Sequence, residues 1–575
     1  MKSSRTDLRN TIVALCAVLL VTGFPVAEIQ AASVKGKVVD SSGAPLAGAI
    51  ISLANDNGRT ESVYSNAEGT FSLNTGMTSK LVLRVRKRYH DDHIQTLKSI
   101  PKVGKPLTVR LTDITDPKRL SDDHPALSFF SRINFDKDES SPFSRRNFTR
   151  DCLSCHSVGG IFTRTPRSAE GWLPTLQRMH GYVGNSDPEM IKRRAELLSK
   201  AFDGSLVHSR PQITYDELVS ASKLYEWKLI GSSVPHDAEV SMRTGKVYIT
   251  DLFAGGIFEL NMTSDKLAFF KEPADGTQPG GGFAKAGLTP PFGLTAPHGP
   301  HSLAEANDGN FYMTDAIGST LIKFDTVAKT FKHFDIGHGA LYPHTIRVAK
   351  DGIIWFTIFA SNQIGRFDPA TGKTTVIYLP GKLANAGLFV APMPYGIDVN
   401  PKDGSIWYAH FGNDTVGRVD PTTYEVREMD SPVHAPRRLR FDASGTLWVA
   451  GFSDGAIARI DVDTWQAKVY PLPTFAPNEI PAPYALAVNP ETQEIWINDT
   501  AMDLVWRFLP KEERFIAYPL PLKGSYTRDF FFTKEGWACS SNNPLPAASL
   551  EGFTAELVCI DPDGAKKPVV TAKAK

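Results

Sequence analysis

The stretch GIIWFTI, residues 352–358, followed by GRFDP at 365–369 and YLP at 378–380, carries the pattern that decides the fold. A glycine turn opens an apolar, aromatic run of strand length, a second run returns after a short polar break, and a third ends on proline. Runs of this kind bounded by turn residues read as antiparallel strands. The first strand recurs as GKVYITD from 245, GNFYMTD from 309, GSIWYAH from 404, GTLWVAG from 445, QEIWIND from 493 and EGWACS from 535. Its aromatic positions Tyr248, Tyr312, Trp355, Trp407, Trp448, Trp496 and Trp537 lie mostly 41 to 52 residues apart, the size of a four-stranded propeller blade. Seven copies predict a seven-bladed β-propeller over residues 226–565, and the alternating, turn-punctuated pattern excludes helical and solenoid repeats.

The repeat also marks a site. Each copy is preceded by an inner strand opened by Pro-His or an equivalent, at His236, His301, His344, Tyr395, Arg437, Tyr484 and Tyr526. After an antiparallel return come Asp251, Asp315, Ile358, His410, Gly451, Asp499 and Ser540. The start of one strand and the end of its antiparallel neighbour share a propeller face, so one mouth is expected to collect imidazoles, carboxylates and phenols. His298 and His301 form its densest piece, and the Gly/Pro-rich insertion from Pro273 to Pro297 is placed to lie over it as a lid. His301, His344 and Asp315 are the catalytic candidates, able to hold a divalent ion such as Mg or to act as acid and base near neutral pH. Propeller channels also keep His and Asp as structural hydrogen-bonding groups.

Upstream, residues 148–225 carry Cys152-Leu153-Ser154-Cys155-His156, the C-x-x-C-H spacing of c-type haem attachment. Two thiols one helical turn apart reach two vinyl groups of one porphyrin, and the adjacent imidazole faces the iron. A thioredoxin-like pair or half a zinc site would need a surrounding βαβ pattern or a second C-x-x-C, and neither is present. Trp172, Leu173, Leu176 and Met179 follow helical spacing and make Met179 the expected sixth ligand, with His180, Met190 and His208 as competitors. Ser186-Asp187-Pro188-Glu189 has capping-box spacing ahead of a helix through Ile191, Ala195, Leu198 and Phe202. The stretch from His156 to Tyr182 resembles mono-haem cytochrome c domains in which a Gly-Trp helix delivers a methionine. That resemblance implies a small α-helical haem domain and a covalent haem c.

Short strand-like runs at residues 34–39, 50–53, 71–73 and 81–85, broken by Gly and Asn/Asp turns, predict a β-sandwich over residues 32–112. GKVVDSSGAPLAGAIISL, residues 36–53, with NAEGTFSL, residues 66–73, resembles the carboxypeptidase regulatory-like domain, Asn66 standing where that family more often has Asp. The resemblance implies an immunoglobulin-like sandwich without catalytic residues, in a spacer or docking role. Residues 113–147 show no sustained period and read as a linker, partly anchored by Phe129, Phe130, Ile133 and Phe135. Lys2, Arg5 and Arg9 precede a short uncharged run, with small residues at Ala31-Ala32-Ser33; residues 1–31 read as an export signal, the mature chain as periplasmic or secreted, and residues 566–575 as a tail. The apolar run is too short to span a bilayer. Lys+Arg 63 against Asp+Glu 62 leaves no field to draw nucleic acid or anionic lipid. Cys539 and Cys559 fall in neighbouring strands of the last repeat, as a disulfide or a buried thiol pair.

The propeller repeats, with their Pro-His starts, Trp-Phe-Thr strand and Ile-Gly-Arg-Phe strand, resemble the virginiamycin B lyase (streptogramin lyase) family. Membership would imply a metal-assisted C–O lyase with a glutamate on the metal and a histidine base. Ile358 occupies the position after Trp-Phe-Thr that is often Glu in that family, and no Glu-x-His occurs in the propeller. The expectation is therefore a mostly β exported c-type haem protein, an oxidoreductase or electron-transfer protein. Its propeller binds a small-molecule substrate and its haem domain serves a redox partner protein. The alternative is a lyase or a non-catalytic binding protein.

Overall fold

The computed structural model describes residues 32–77, 80–97, 106–182, 187–381, 392–546 and 549–565. The expected export signal, the expected tail and Ser186 of the expected capping box lie outside them. The chain is mostly β. Strands Thr70–Thr75, Ala32–Val39 and Leu107–Arg110 form one sheet of the N-terminal sandwich; Arg59–Tyr64, Ile50–Asn55, Leu81–Arg86 and His93–Leu97 form the facing one. Val34, Val38, Ile51, Leu53, Leu73, Leu83 and Val85 alternate inward along their strands and fill the space between the sheets.

Six four-stranded antiparallel sheets follow in chain order, of the kind that makes propeller blades. The first contains Pro235–Val240, Val247–Asp251, Gly256–Asn261 and Lys266–Lys271; the last of the six runs from Pro483–Val488 to Arg514–Pro519. A further group, Thr527–Phe532, Ala538–Asn542 and Glu556–Asp561, takes its fourth strand from Lys223–Lys228. That strand straddles the 225/226 boundary expected from sequence. Its other edge pairs with Arg59–Tyr64, so this group and one sandwich sheet form a single eight-stranded sheet. The innermost strands succeed one another around a closed ring, Pro235–Val240 touching both Pro300–Glu305 and Thr527–Phe532.

Two recurrent sequence features have physical causes here. The threonine of the aromatic strand ties one sheet to the next: Thr250 Oγ1 donates to His301 O at 2.7 Å, Thr314 Oγ1 to His344 O at 2.6 Å and Thr357 Oγ1 to Tyr395 O at 2.9 Å. The glycine of the following strand lies under an aromatic ring, and a Cβ on Gly365 would come within 2.2 Å of the Phe356 ring.

The segment read as a linker folds into helices Pro117–Asp122 and Ala126–Phe130. Elements of five or six residues are too short to show a period, which is why the sequence pattern was silent. Leu127, Phe129, Phe130 and Ile133 are buried with Phe148, Leu153, Trp172, Leu176 and Leu198 in one apolar cluster. This cluster continues into Leu252, Tyr342, Phe359 and Phe452 of the ring. Helices Arg145–Cys152, Ala169–Tyr182 and Pro188–Ala201 therefore sit on one face of the ring. Asp187 caps the third, its Oδ1 accepting from Glu189 N at 2.9 Å with Pro188 in the first turn. Cys539 and Cys559 form a disulfide. Among the described residues no helix is long and apolar enough to cross a membrane.

Candidate functional site

A backbone irregularity shapes the centre of the ring. The inner strands Pro300–Glu305, Pro343–Val348, Pro394–Val399, Pro436–Phe441, Pro483–Val488 and Thr527–Phe532 lose register between their first and fourth residues. Such bulges let successive side chains turn to one side. The first residue after each opening proline builds a layer around the axis. The His236 and His301 rings lie 3.6 Å apart, His301 and His344 4.1 Å, and His344 and Tyr395 4.0 Å. Arg437 stacks 3.9 Å from the Tyr484 ring and donates to Tyr395 Oη at 2.6 Å. Arg528 donates to Tyr484 Oη at 3.0 Å.

The residue after it forms a second layer. Arg438 is fully buried and donates to Asp237 Oδ1 and Oδ2 at 3.1 Å and to Asp529 Oδ2 at 2.8 Å. His236 Nδ1 lies 3.0 Å from Asp237 Oδ1. Asp237, Arg438 and Asp529 were missed in the sequence, because strict alternation turns every second residue away from the axis; Arg437-Arg438, two adjacent arginines in a strand, was the signal available. Arg528 was missed for another reason: Thr527 stands where the other inner strands open on proline, so the first-layer place expected at Tyr526 falls on Arg528.

These groups set one another's charge. Burial, with Arg528 nearby, pushes His236 down to about 4. Burial and its two imidazole neighbours hold His301 well below the ordinary histidine range; burial and Arg438 do the same to His344. Burial opposes ionisation of Tyr484, but Arg528, Arg437 and Arg438 outweigh it and lower its pKa. The mouth thus holds neutral imidazoles beside an acidified phenol. His301 Nδ1 is buried without a hydrogen-bond partner among the described residues. His301 lines a cavity of about 60 Å³ together with His236, His344, Tyr395, Arg437 and Cys155.

The C-x-x-C-H segment closes this cavity. Tyr526 Oη donates to Leu153 O and Ser154 O, both at 2.9 Å; Arg437 Nη2 donates to Ser154 O at 2.7 Å and Arg528 Nη2 to Cys155 O at 3.5 Å. Cys152 and Cys155 are free thiols, half-buried, and burial raises both pKa values, Cys152 to about 11. His156 Nδ1 sits 2.9 Å from Ser157 O, the contact that leaves Nε2 for a metal. Helix Ala169–Tyr182 buries Trp172, Leu176 and His180, with Met179 half-buried beside that face. His180 Nε2 lies 3.4 Å from Arg194 Nη1, and Arg194 pairs with Asp151 at 2.6 Å. Pro291 and Phe292 of the 273–297 insertion line the same cavity, Phe292 packing on Tyr182.

Other residues expected at the mouth serve the sheet corners. Asp315 Oδ1 accepts from Gly299 N and Gly318 N at 2.8 Å, Asp251 Oδ2 from Ser233 N at 2.8 Å, and Asp499 Oδ1 from Ala501 N at 2.8 Å. A carboxylate that binds the turn N–H groups explains why Asp recurs there. His410 is buried between Glu428 at 2.7 Å and Asn362 at 2.8 Å. Ile358 is fully buried in apolar packing. Asp315 consequently does not join His301 and His344; its Oδ2 meets His298 Nδ1 at 2.7 Å. Burial opposes charge on His298, but the bond to Asp315 prevails and raises its pKa.

Residues 33–112 match the family model of the carboxypeptidase regulatory-like domain. No curated protein matches the sequence. Among solved structures the chain is similar to virginiamycin B lyase from Staphylococcus aureus, at 20% identity over 59% of this chain and 99% of that one, with TM-score 0.46. A streptogramin B lyase structure gives 21% identity, 59% and 98% coverage and TM-score 0.47. The extracellular domain of a hybrid two-component system from B. thetaiotaomicron gives 14% identity, 58% and 41% coverage and TM-score 0.41.

Proposed function

We propose that this chain is an exported c-type haem protein built on a seven-bladed propeller, and that it passes electrons between a small substrate in the axial cavity and a redox partner protein. The observation that carries the reading is the docking of the Cys152–His156 backbone onto Tyr526, Arg437 and Arg528 at the mouth. It sets Cys155 in the lining of the cavity that the stacked imidazoles share, with Cys152 packed against the neighbouring apolar cluster. Cys152, Cys155, His156 and Met179 are the residues that would hold a haem. The haem, when bound, supplies one-electron chemistry.

The chain's own residues do the rest. About 60 Å³ admits a few water-sized groups, at roughly 10–15 Å³ each, so the substrate portion inside the ring has only a few non-hydrogen atoms. The His301 imidazole, held neutral, meets it as a hydrogen-bond partner and proton acceptor. Arg437 and Arg528 keep the Tyr484 oxygen ready to accept. Phe292 and Tyr182 exclude water from above.

His236, Asp237 and His301 each offer a ligand atom within 4.8 Å of the others, which supports a second, metal-assisted reading such as a lyase. Asp237 is already engaged by Arg438, and position 358 supplies no carboxylate. The first reading ranks higher. Its test is a denaturing gel stained for haem peroxidase, with the reduced pyridine spectrum of the same sample. Haem should stay with the wild-type chain and be lost from Cys152→Ala/Cys155→Ala. Haem that washes off the wild type in denaturant, or a chain isolated from a haem-competent host without it, overturns the reading.

A further inference from the structure

Away from the axis, Glu272, His298, Asp315 and His333 bring one ligand atom each within 4.8 Å of one another. They come from four places in the chain: the residue after strand Lys266–Lys271, the residue two before Pro300–Glu305, the end of Phe311–Asp315, and the middle of Phe331–Asp335. Neither carboxylate oxygen of Glu272 has a hydrogen-bond partner among the described residues, although the residue is 3% exposed. His333 Nε2 is likewise buried without a hydrogen bond, 3.4 Å from Glu272 Oε1. A buried carboxylate with no donor is costly unless a cation completes it.

His298 gives the second argument. Its Nε2 lies 3.2 Å from Ala274 O, which can hold the Nε2 proton and free Nδ1 for a metal. Nδ1 lies 2.7 Å from Asp315 Oδ2 and 3.6 Å from Glu272 Oε1, where a bound cation would take the place of the Nδ1 proton. Asp315 Oδ2 also accepts from Thr320 Oγ1 at 2.9 Å, whereas the Glu272 oxygens and His333 Nε2 converge on the same space with no donor of their own among the described residues. The separations of 2.7, 3.4 and 3.6 Å bracket the roughly 3.3 Å between two ligands held tetrahedrally at about 2.0–2.1 Å from zinc. Gly318 is part of the cradle, since a Cβ there would lie 1.9 Å from Asp315 Oδ2 and 2.6 Å from His298 Nδ1.

We propose that Glu272, His298, Asp315 and His333 bind one divalent transition ion, zinc by the two-imidazole, two-carboxylate donor set. Two imidazoles disfavour magnesium and calcium, which take oxygen ligands. The ion balances the two carboxylate charges. Glu272 and His298 immediately flank residues 273–297, so the ion clamps both ends of the insertion that brings Phe292 over the axial cavity. The site is separate from the axial imidazoles and stands whether or not haem is attached.

The test uses the full, untagged chain, stripped with a chelator and titrated with zinc chloride alone, with bound zinc counted by elemental analysis. One zinc per chain is expected. Glu272→Gln and His333→Ala should each weaken binding at least tenfold, and His301→Ala should leave it unchanged. Chelation of the wild type should speed proteolytic cleavage within 273–297, and zinc should reverse it. If Glu272→Gln does not fold, His333→Ala, at a partly exposed position, decides. The proposal is overturned if zinc is not bound stoichiometrically, if it survives both substitutions, if it follows His301 instead, or if only magnesium binds.

Discussion

Replacing Arg438 by Met should destabilise the ring more than any surface change can, and the loss should depend on pH in a stated direction. Arg438 is fully buried and supplies the short cationic contacts of Asp237, at 3.1 and 3.2 Å. Asp529 keeps Arg440 and Arg347, so a single buried carboxylate, Asp237, loses its arginine and keeps only the His236 imidazole at 3.0 Å. Breaking one buried pair this way costs about 3–5 kcal/mol. At roughly 2–3 °C per kcal/mol for a large domain, the melting temperature falls by about 6–15 °C. In the wild type, burial opposes the Asp237 charge, but Arg438 and then His236 hold its pKa well below the aspartate range. Its stabilising contribution is present above an unfolded pKa of about 3.9 and is lost as pH falls through the lower folded value. In Arg438→Met the folded value moves above the unfolded one, so the penalty is full at neutral pH and relieved by acid. The melting difference, read by calorimetry, should therefore shrink from pH 7 to about pH 4.5, and Arg438→Met/Asp237→Asn should recover part of it at pH 7. A loss under about 1 kcal/mol, or one equal at both pH values, refutes the second-layer network.

His236 titrates in the folded ring near 4 and in the unfolded chain near 6.5; stability should fall by up to about 3 kcal/mol as pH drops across that window, and His236→Asn should flatten the acid limb of a melting-temperature profile. Met179→Ala should remove the near-infrared sulfur-to-iron band and lower the reduction potential, while an unchanged band assigns the position to another residue. His301→Ala should keep the haem spectrum and abolish haem reduction by a small molecule that reduces the wild type; reduction at the wild-type rate removes the axial cavity from the mechanism. A streptogramin incubated with magnesium and the purified chain should remain uncleaved by mass spectrometry, since Ile358 brings no carboxylate, and measurable cleavage would favour the lyase reading.

The sheet repeat was legible because Gly turns, Trp/Tyr positions and Pro-His openings each answer a local demand, as Gly365 under Phe356 and Thr357 on the next strand show. The inner-strand positions from His236 to Tyr484 could be read for the same reason, whereas the seventh falls on Arg528 and not on the expected Tyr526, because no proline marks that strand's start. Asp315 and His410 share the periodicity but serve corner turns and a buried pair, and the distinction depends on where backbone N–H groups point. The bulge hid Arg438 and Asp237, since period-two reasoning cannot see an extra residue. Glu272 and His333 carry no motif; only the packing of two sheets joins them. Docking of the Cys152–His156 segment on Arg437 and Tyr526 was equally out of reach, because those contacts join parts of the chain far apart in sequence.

The eight-stranded sheet sets an order of events in time. Its strand Lys223–Lys228 is made before every other strand of the ring, whereas its partner Glu556–Asp561 is made after them all. The ring cannot shut while the chain is still being synthesised or threaded across a membrane. Until Tyr526 and Arg528 are made and the ring shuts around them, the carbonyls of residues 153–155 lack those donors. On the proposed haem reading, an enzyme that attaches the group to Cys152 and Cys155 would work on an open loop, and the last sheet to arrive would seal the product in place.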